Sequence, residues 1–427
     1  VSLFGRCQVD YYRSGTGSGG AVNVPYTVNA VQGMQNNQSI KLNQELVAIY
    51  QDWLANNPFD DGGGGWAAEP WFQQEMPLTD DIVQQSAAIS DKAVVFIGRT
   101  AGEDQDNSYI AGSYCLTDLE IEMITKVNQH FDNVIIVFNV TNIMDMSWLN
   151  SIAVHQSIKA VLYSWAAGME GGHALADILS GDISPSGRLT DSIAYQLADY
   201  PSSANFGRKD YNLYAEDIYV GYRYFETFNP QAVQYEFGAG LSYTDFSRHL
   251  VAYSEEGEGV NSILHFDVKV QNIGTEFSGK EVLQLYLEAP QGVLGKAARV
   301  LVGFAKTQEL KPGRSETVRI SVPVASFASY DDSGVTGHRH CYLLEAGRYQ
   351  FYLGASVRYA QLVAATFELQ QLLVIEKLNE ALAPIQAFDR LKPLQKNDQG
   401  VYEASYEAVP LRTISLAQRI QANMPQT

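Results

Sequence analysis

Short apolar runs alternate with longer amphipathic segments over about the first 240 residues. The runs that predict buried strands are rich in β-branched residues and occupy residues 1–4, 93–97, 134–138 and 159–163. The segments with apolar residues at helical spacing are residues 42–50, 117–130 and 173–179. Strands that alternate with helices in this way predict βαβ units and a largely parallel sheet.

Two local signals support the predicted helices. Thr117 followed by Glu120 has the form of a capping box, which begins a helix at this point. Gly181 follows the last predicted helix, at the position where a left-handed residue commonly ends one.

From about residue 262 the period changes from helical spacing to strict alternation. Leu264, Phe266, Val268 and Val270 alternate with polar residues, and three similar stretches follow up to residue 353. This pattern predicts a β-sandwich of about 100 residues. The expected fold is therefore α/β, with an open, doubly wound, mostly parallel sheet followed by a β-sandwich and a tail.

The tail begins beyond residue 367, where the alternating pattern stops. Residues 372–382 carry apolar side chains at spacings that predict a helix. Ser415 with Gln418 forms a second capping-type start, and we expect a helix from there to the end of the chain.

Composition and charge exclude several classes of partner. The 427 residues carry a formal net charge of −19 and have an isoelectric point near 4.7. Attraction to a phosphate backbone or to an anionic membrane surface requires the opposite charge, so we expect neither nucleic acid nor membrane as a partner. With 46% hydrophobic and 18% charged residues, the chain is expected to fold rather than to remain disordered.

Cysteine usage and apolar run lengths give a further, weaker constraint. The three cysteines Cys7, Cys115 and Cys341 are far apart and lack the spacing of a disulfide framework or a zinc site, so no metal and no cofactor are expected. A helix needs about 18 apolar residues to span a bilayer, and the apolar runs of this chain are far shorter. No basic, apolar leader precedes the first strand. The sequence favours a cytoplasmic location, and a secreted or periplasmic one stays open if a leader was removed.

The first candidate for chemistry is the glycine-rich segment from Gly15 to Gly20, which formally matches a dinucleotide fingerprint. In that fingerprint the glycines join a strand directly to a helix, whereas here several residues follow the strand before Gly15. Two other interpretations stay open. The segment is either a flexible loop or a ligand loop in which small residues and the Ser18 hydroxyl approach a sugar closely.

The second candidate is Glu103, which follows the predicted strand at residues 93–97. Parallel α/β sheets bind ligands beyond the carboxyl ends of their strands, so Glu103 and Ser18 are expected at one edge. The acidic neighbours Asp104 and Asp106 predict a raised pKa for Glu103, suited to a general acid, provided that Arg99 does not face it. The alternative is an acidic loop that is simply solvated.

Taken together, these segments resemble glycoside hydrolase family 3, the β-glucosidase family. The resemblance rests on motifs that occur in the family's order: Ser-Gly-Thr-Gly-Ser-Gly at 14–19, Gly-Arg-Thr-Ala-Gly-Glu at 98–103, Trp-Ala-Ala-Gly-Met-Glu-Gly-Gly at 165–172, Gly-Asp-Ile-Ser-Pro-Ser-Gly-Arg-Leu at 181–189, Tyr-Val-Gly-Tyr-Arg-Tyr at 219–224 and Phe-Gly-Ala-Gly-Leu-Ser-Tyr at 237–243. It implies an α/β sandwich domain at residues 1–245, a fibronectin type III-like module at 246–370 and a linker tail at 371–427.

By the same resemblance, Glu103 is the general acid/base, and Ser18 contacts the sugar in subsite −1. The family uses a retaining mechanism whose nucleophile, an Asp, belongs to a (β/α)8 barrel domain. No barrel pattern and no nucleophile motif occur in this sequence, and the order of segments resembles the domain-permuted members. The resemblance therefore implies half an active site, inactive without its barrel partner.

The expected function is the hydrolysis of terminal β-D-glucosyl residues from a glucoside or oligosaccharide. β-Xylosidase activity is the nearest alternative, because the sugar-selective contacts of the family lie mostly on the barrel. A non-catalytic carbohydrate-binding or assembly module is a second alternative. A homo-oligomer stays open, since nothing in the sequence decides the oligomeric state.

Overall fold

The structure is a computed structural model that describes residues 1–152, 157–380, 382–415 and 417–418. The chain divides into two compact units, Val1–Ile183 and the residues from Ser184 onward. The domain boundaries expected at residues 245 and 370 stay predictions.

The first unit is built around a sheet of four parallel strands in the order β1-β2-β3-β4. Its strands are β1 (Ser2–Phe4), β2 (Ala93–Arg99), β3 (Val134–Val140) and β4 (Ile158–Tyr163). Its helices are α1 (Ala30–Asn36), α2 (Gln44–Asn56), α3 (Asp80–Ile89), α4 (Asp118–His130), α5 (Leu149–Ile152) and α6 (Gly171–Ser180). All four predicted strands and the three predicted helices are present, with ends shifted by a few residues.

Helices cover both faces of this sheet, which is why its central strands are apolar almost throughout. Neighbouring residues of β1 show the two faces. Leu3 joins the cluster that α1 and α6 form with alternate residues of β2, whereas Phe4 packs edge-on against Phe131 at the end of α4, with ring centroids 5.7 Å apart. The open, doubly wound parallel sheet predicted from the sequence is confirmed.

Both helix-end signals are confirmed. Thr117 Oγ1 accepts the amide of Glu120, and Glu120 Oε2 accepts the amide of Thr117, which together form the capping box of α4. Gly181 ends α6 in the left-handed conformation, with φ of 85°.

A buried ion pair connects the end of β2 to the start of α4. The Arg99 guanidinium donates to both carboxylate oxygens of Glu120 at 2.6 Å, and both side chains are almost fully buried. It also donates to the carbonyl oxygens of Ser113 and Cys115. Arg99 therefore anchors the far end of residues 100–116, hereafter the Glu103 loop, while the strand anchors the near end.

The second unit contains a β-sandwich with two antiparallel sheets. The described part of this unit contains the α-helix α7 (Tyr222–Phe228) and the strands β5 (Ile193–Ala194), β6 (Val233–Tyr235), β7 (Phe246–Glu256), β8 (Ile263–Asn272), β9 (Val282–Glu288), β10 (Val300–Lys306), β11 (Ser315–Pro323), β12 (Ser329–Asp331), β13 (Cys341–Leu344), β14 (Gly347–Gly354), β15 (Gln361–Leu369), β16 (Leu373–Lys377), β17 (Asp389–Lys396) and β18 (Tyr402–Ala408). The facing sheets have the orders β10-β9-β14-β15 and β11-β8-β7, and their inner residues form one apolar core.

The helix predicted at residues 372–382 is wrong. Residues 373–377 instead form β16, which pairs antiparallel with β13. Leu373 and Ile375, which alternate along the strand, pack against the core of the sandwich. This packing outweighs the helical propensity of the segment.

The rest of the tail also carries regular structure, because β17 and β18 pair as an antiparallel hairpin. Ser415 and Gln418 exchange the two hydrogen bonds of the predicted capping box. The helix expected after them lies outside the described residues.

Replacing Arg99 tests the ion pair that anchors the Glu103 loop. Arg99→Met leaves the Glu120 carboxylate buried without its counter-charge, and we expect the free energy of unfolding to fall by about 3–5 kcal/mol. Urea denaturation measures the loss. Arg319→Met is the matched control, since Arg319 pairs with Asp267 through two bonds on an exposed surface, where salt bridges contribute little. An Arg99 loss no larger than that of the control would contradict this role.

Candidate active site

Two loops leave neighbouring strands at the carboxyl edge of the parallel sheet and contact each other there. The loop after β1 contains residues 14–20, hereafter the glycine-rich loop, and the Glu103 loop follows β2. Thr16 pairs with Gly102 in an isolated β-bridge, and the Thr16 amide donates to the Ala101 carbonyl oxygen at 3.1 Å. The sequence expectation that both loops share one edge is met by this contact.

The glycines of the first loop allow this close approach. Gly17 has φ of 81°, and a Cβ at this position would lie 2.3 Å from the Glu103 Cβ. A Cβ on Gly15 would lie 2.5 Å from the Ala101 carbonyl oxygen. Both glycines are therefore required by contact with the second loop.

The dinucleotide interpretation of this segment is wrong. The first helix after Gly20 is α1, which begins at Ala30, so the glycines do not lie at a helix N-terminus. They form an irregular loop instead.

Ser18 and Glu103 come together through this contact. The Ser18 amide donates a hydrogen bond of 2.9 Å to Glu103 Oε2, and both side chains are exposed. This bond, together with one from the Ser18 side chain, lowers the pKa of Glu103. An exposed, ionised carboxylate thus stands at the edge of the sheet, held by the backbone of the other loop.

The expectation that acidic neighbours raise the pKa of Glu103 is therefore wrong for this chain. Asp104 has φ of 61° and accepts a hydrogen bond of 2.9 Å from the Trp66 indole nitrogen. The other condition for a general acid is met, since Arg99 pairs with Glu120 inside the first unit.

Sequence reasoning missed Asn139, which fixes the first of the two loops. This fully buried side chain accepts the Tyr12 amide at 2.8 Å and donates to the carbonyl oxygens of Tyr12 and Trp165 at 2.9 and 2.7 Å. Its signal in the sequence is a lone amide residue inside the apolar run of β3. Arg13 then donates to the carbonyl oxygens of Gly20 and Val22, which holds the base of the glycine-rich loop.

The described residues contain neither a metal-binding cluster nor a membrane-spanning helix. No group of three or more His, Cys, Asp or Glu side chains in this part of the chain is arranged to hold a metal ion. No helix found there is long and apolar enough to cross a membrane.

Two family profiles match most of this chain. The profile of the glycosyl hydrolase family 3 C-terminal domain matches residues 1–243, and that of the fibronectin type III-like domain matches residues 281–357. The chain belongs to glycoside hydrolase family 3. The resemblance drawn from its motifs is thus confirmed, as is the fibronectin type III-like character of the sandwich.

Individual relatives of this family 3 chain carry β-glucosidase names. It is 47% identical over 425 residues to a β-glucosidase of Ruminococcus albus, covering 100% of this chain and 43% of that protein. Among solved structures, a β-glucosidase of Paenibacillus barengoltzii superposes with a TM-score of 0.96 at 55% identity, over 100% of this chain and 46% of that one. β-Glucosidase 3B of Thermotoga neapolitana, in complex with α-D-glucose, superposes with a TM-score of 0.75 at 30% identity. This match covers 87% of this chain and 50% of that one. The family 3 chain spans about half the length of these relatives.

Replacing Gly17 tests whether its missing side chain positions Glu103. Gly17→Ala puts a Cβ into the space of the Glu103 side chain, at a backbone φ that non-glycine residues rarely adopt. We expect the Ser18 amide to move away from the carboxylate and the pKa of Glu103 to rise toward its ordinary value. A pH titration of the Glu103 carboxyl carbon by NMR measures the change.

Gly19→Ala is the matched control, because a Cβ on Gly19 meets no atom within 4 Å. We expect the pKa of Glu103 to be unchanged in this variant. Equal titration curves for the two variants would show that contact at Gly17 does not position the carboxylate.

Proposed function

We propose that this chain supplies the general acid/base, Glu103, and a sugar-contacting residue, Ser18, of a retaining β-glucosidase. The observation that carries the proposal is the bond from the Ser18 amide to Glu103 at 2.9 Å. It holds one carboxylate, exposed to solvent, where two loops of the sheet edge meet, which is where open α/β sheets bind their ligands.

Glucose as the substrate sugar is supported by the names of the relatives. The proteins of Ruminococcus albus and Paenibacillus barengoltzii are β-glucosidases, and that of Thermotoga neapolitana was solved with α-D-glucose. This chain spans about half their length, and we infer that its activity requires a further part.

We assign that part to a (β/α)8 barrel domain carrying an Asp nucleophile. Retention at the anomeric carbon needs two carboxyl groups about 5–5.5 Å apart. Glu103 protonates the leaving oxygen while the nucleophile forms the glycosyl-enzyme, and Glu103 then takes a proton from the attacking water. Ser18 contacts a hydroxyl of the sugar in subsite −1.

The lowered pKa of Glu103 fits this scheme only with a partner domain. In the exposed site the Ser18 hydrogen bonds keep the carboxylate ionised, which suits a base. Burial under a barrel and the charge of a nearby Asp would both raise the pKa of Glu103 and favour the acid form. Once the nucleophile is glycosylated, its charge is gone, and Glu103 returns toward the base form.

The direct test compares this chain with a chimera. In the chimera, this chain replaces the matching part of the Ruminococcus albus β-glucosidase, to which it is 47% identical over 425 residues. We expect no hydrolysis of nitrophenyl β-glucoside by this chain alone and clear hydrolysis by the chimera. Glu103→Gln in the chimera should lower the rate by roughly 10²–10⁴-fold, the usual contribution of general acid–base catalysis.

Glu45→Gln is the matched control, since Glu45 is an exposed residue of α2, and its rate should equal that of the chimera. Hydrolysis by the chain alone, or full activity of the Glu103→Gln chimera, would contradict the proposal. A chimera that prefers nitrophenyl β-xyloside would favour the β-xylosidase alternative.

A further inference from the structure

The turn that carries Glu103 has a left-handed residue at its third position. The Gln105 amide donates to the Gly102 carbonyl oxygen at 3.1 Å, so Glu103 and Asp104 are the two central residues of a tight turn. Asp104 has φ of 61°, as in a type II turn, where this position is usually occupied by glycine or asparagine. Left-handed backbone is unfavourable for a residue with a Cβ, and an aspartate offsets this cost through a hydrogen bond of its short side chain.

The partner of Asp104 belongs to a second loop, residues 60–73, hereafter the Trp66 loop. Asp104 Oδ2 accepts a hydrogen bond of 2.9 Å from the Trp66 indole nitrogen. The same loop also holds the next residue of the turn, since the Gln105 side-chain amide donates to the Glu69 carbonyl oxygen at 2.6 Å. The second half of the turn is therefore bound to one loop at two points.

The Trp66 loop is itself closed at its base. The Gln73 side chain is buried and exchanges two hydrogen bonds with the backbone of Asp60, at 2.8 and 2.9 Å. The Trp71 carbonyl oxygen accepts the Thr100 amide at 2.8 Å, directly after the end of β2. The loop that carries the indole is therefore fixed beside the strand from which the Glu103 loop begins.

Loss of the indole bond would let Asp104 return to a negative φ. A type II turn becomes a type I turn when the peptide between its two central residues rotates, and this rotation changes ψ of Glu103. The hydrogen bond of 2.9 Å from the Ser18 amide to the Glu103 carboxylate depends on the direction of that side chain. The conformation of Asp104 is thus coupled to the placement of Glu103.

We propose that Trp66 is a positioning residue for Glu103 and acts through Asp104, by holding this residue of the turn in the left-handed conformation. Asp104, expected from the sequence to act on Glu103 through its charge, acts on it through the backbone. The placement of Glu103 follows from contacts within this chain, and its consequence for catalysis rests on the proposed function.

The test introduces Trp66→Phe, which removes the indole N–H, into three forms of this chain. The first form keeps Asp104. The second carries Asp104→Asn, whose side-chain oxygen still accepts the bond, and the third carries Asp104→Gly, which has no acceptor and adopts positive φ freely. The last two forms are matched in charge, so they differ in the bond and in the backbone preference.

The Glu103 carboxyl carbon is titrated by NMR in each form. We expect Trp66→Phe to raise the pKa of Glu103 toward its ordinary value in the Asp and Asn forms, because the Ser18 amide then no longer meets the carboxylate. In the Gly form the bond is already absent, and Trp66→Phe should leave the pKa of Glu103 unchanged.

The same variants of the chimera measure the effect on catalysis. Trp66→Phe should lower kcat roughly fivefold at nearly constant KM, since a left-handed aspartate without its partner is disfavoured by about that factor. The loss should again be absent in the Gly form. Thermal unfolding checks that each variant is folded, and a role in stability alone would move neither the titration nor kcat of the folded protein.

An unchanged titration in Trp66→Phe, or an equal shift in the Gly form, would overturn the inference, because Trp66 would then not act through Asp104. Full activity of the Glu103→Gln chimera would instead refute the acid/base role of Glu103. The titration of this chain still decides the positioning role in that case, so the two failures are distinguishable.

Discussion

The buried pair of Arg99 and Glu120 is the interaction on which the site depends. Glu120 also caps α4, so one carboxylate fixes the start of a helix and the end of a strand. The remaining donors of Arg99 hold the carbonyl oxygens at the far end of the Glu103 loop. Because the charge and the hydrogen bonds of Arg99 are used by Glu120 and by the loop carbonyl oxygens, Arg99 does not face the exposed Glu103 carboxylate.

On this rigid base, the contact between the two loops is made by backbone rather than by side chains. Gly17 has no Cβ where Glu103 lies, and the amide of Ser18 then reaches the carboxylate. Such a contact holds the Glu103 carboxylate in place within this chain, and it favours the ionised form. Under the proposed function, the lowered pKa of Glu103 in this chain and the raised pKa of an acid catalyst are two states of one site, and a partner domain supplies the difference.

The parallel sheet was predictable because β2 and β3 are buried on both faces and read as unbroken apolar runs. The strand within residues 372–382 was not predictable, because the leucines of this segment also fit a helix. Only its pairing with β13 shows that it forms a strand. Glu103 and Ser18 were candidates because of their motifs and their position after strands, and the structure brings the two residues together. The direction of the pKa shift of Glu103 could not be found in this way, because it depends on where one backbone amide points.

The most direct measurement of the role of Glu103 is the leaving-group dependence of the Glu103→Ala chimera, with azide added. An acid catalyst matters most for poor leaving groups, so we expect hydrolysis of methyl β-glucoside to be lost while that of dinitrophenyl β-glucoside persists. Azide should then attack the glycosyl-enzyme without needing a base and release β-glucosyl azide. An equal loss of rate for both substrates, with no azide product, would contradict Glu103 as the acid/base.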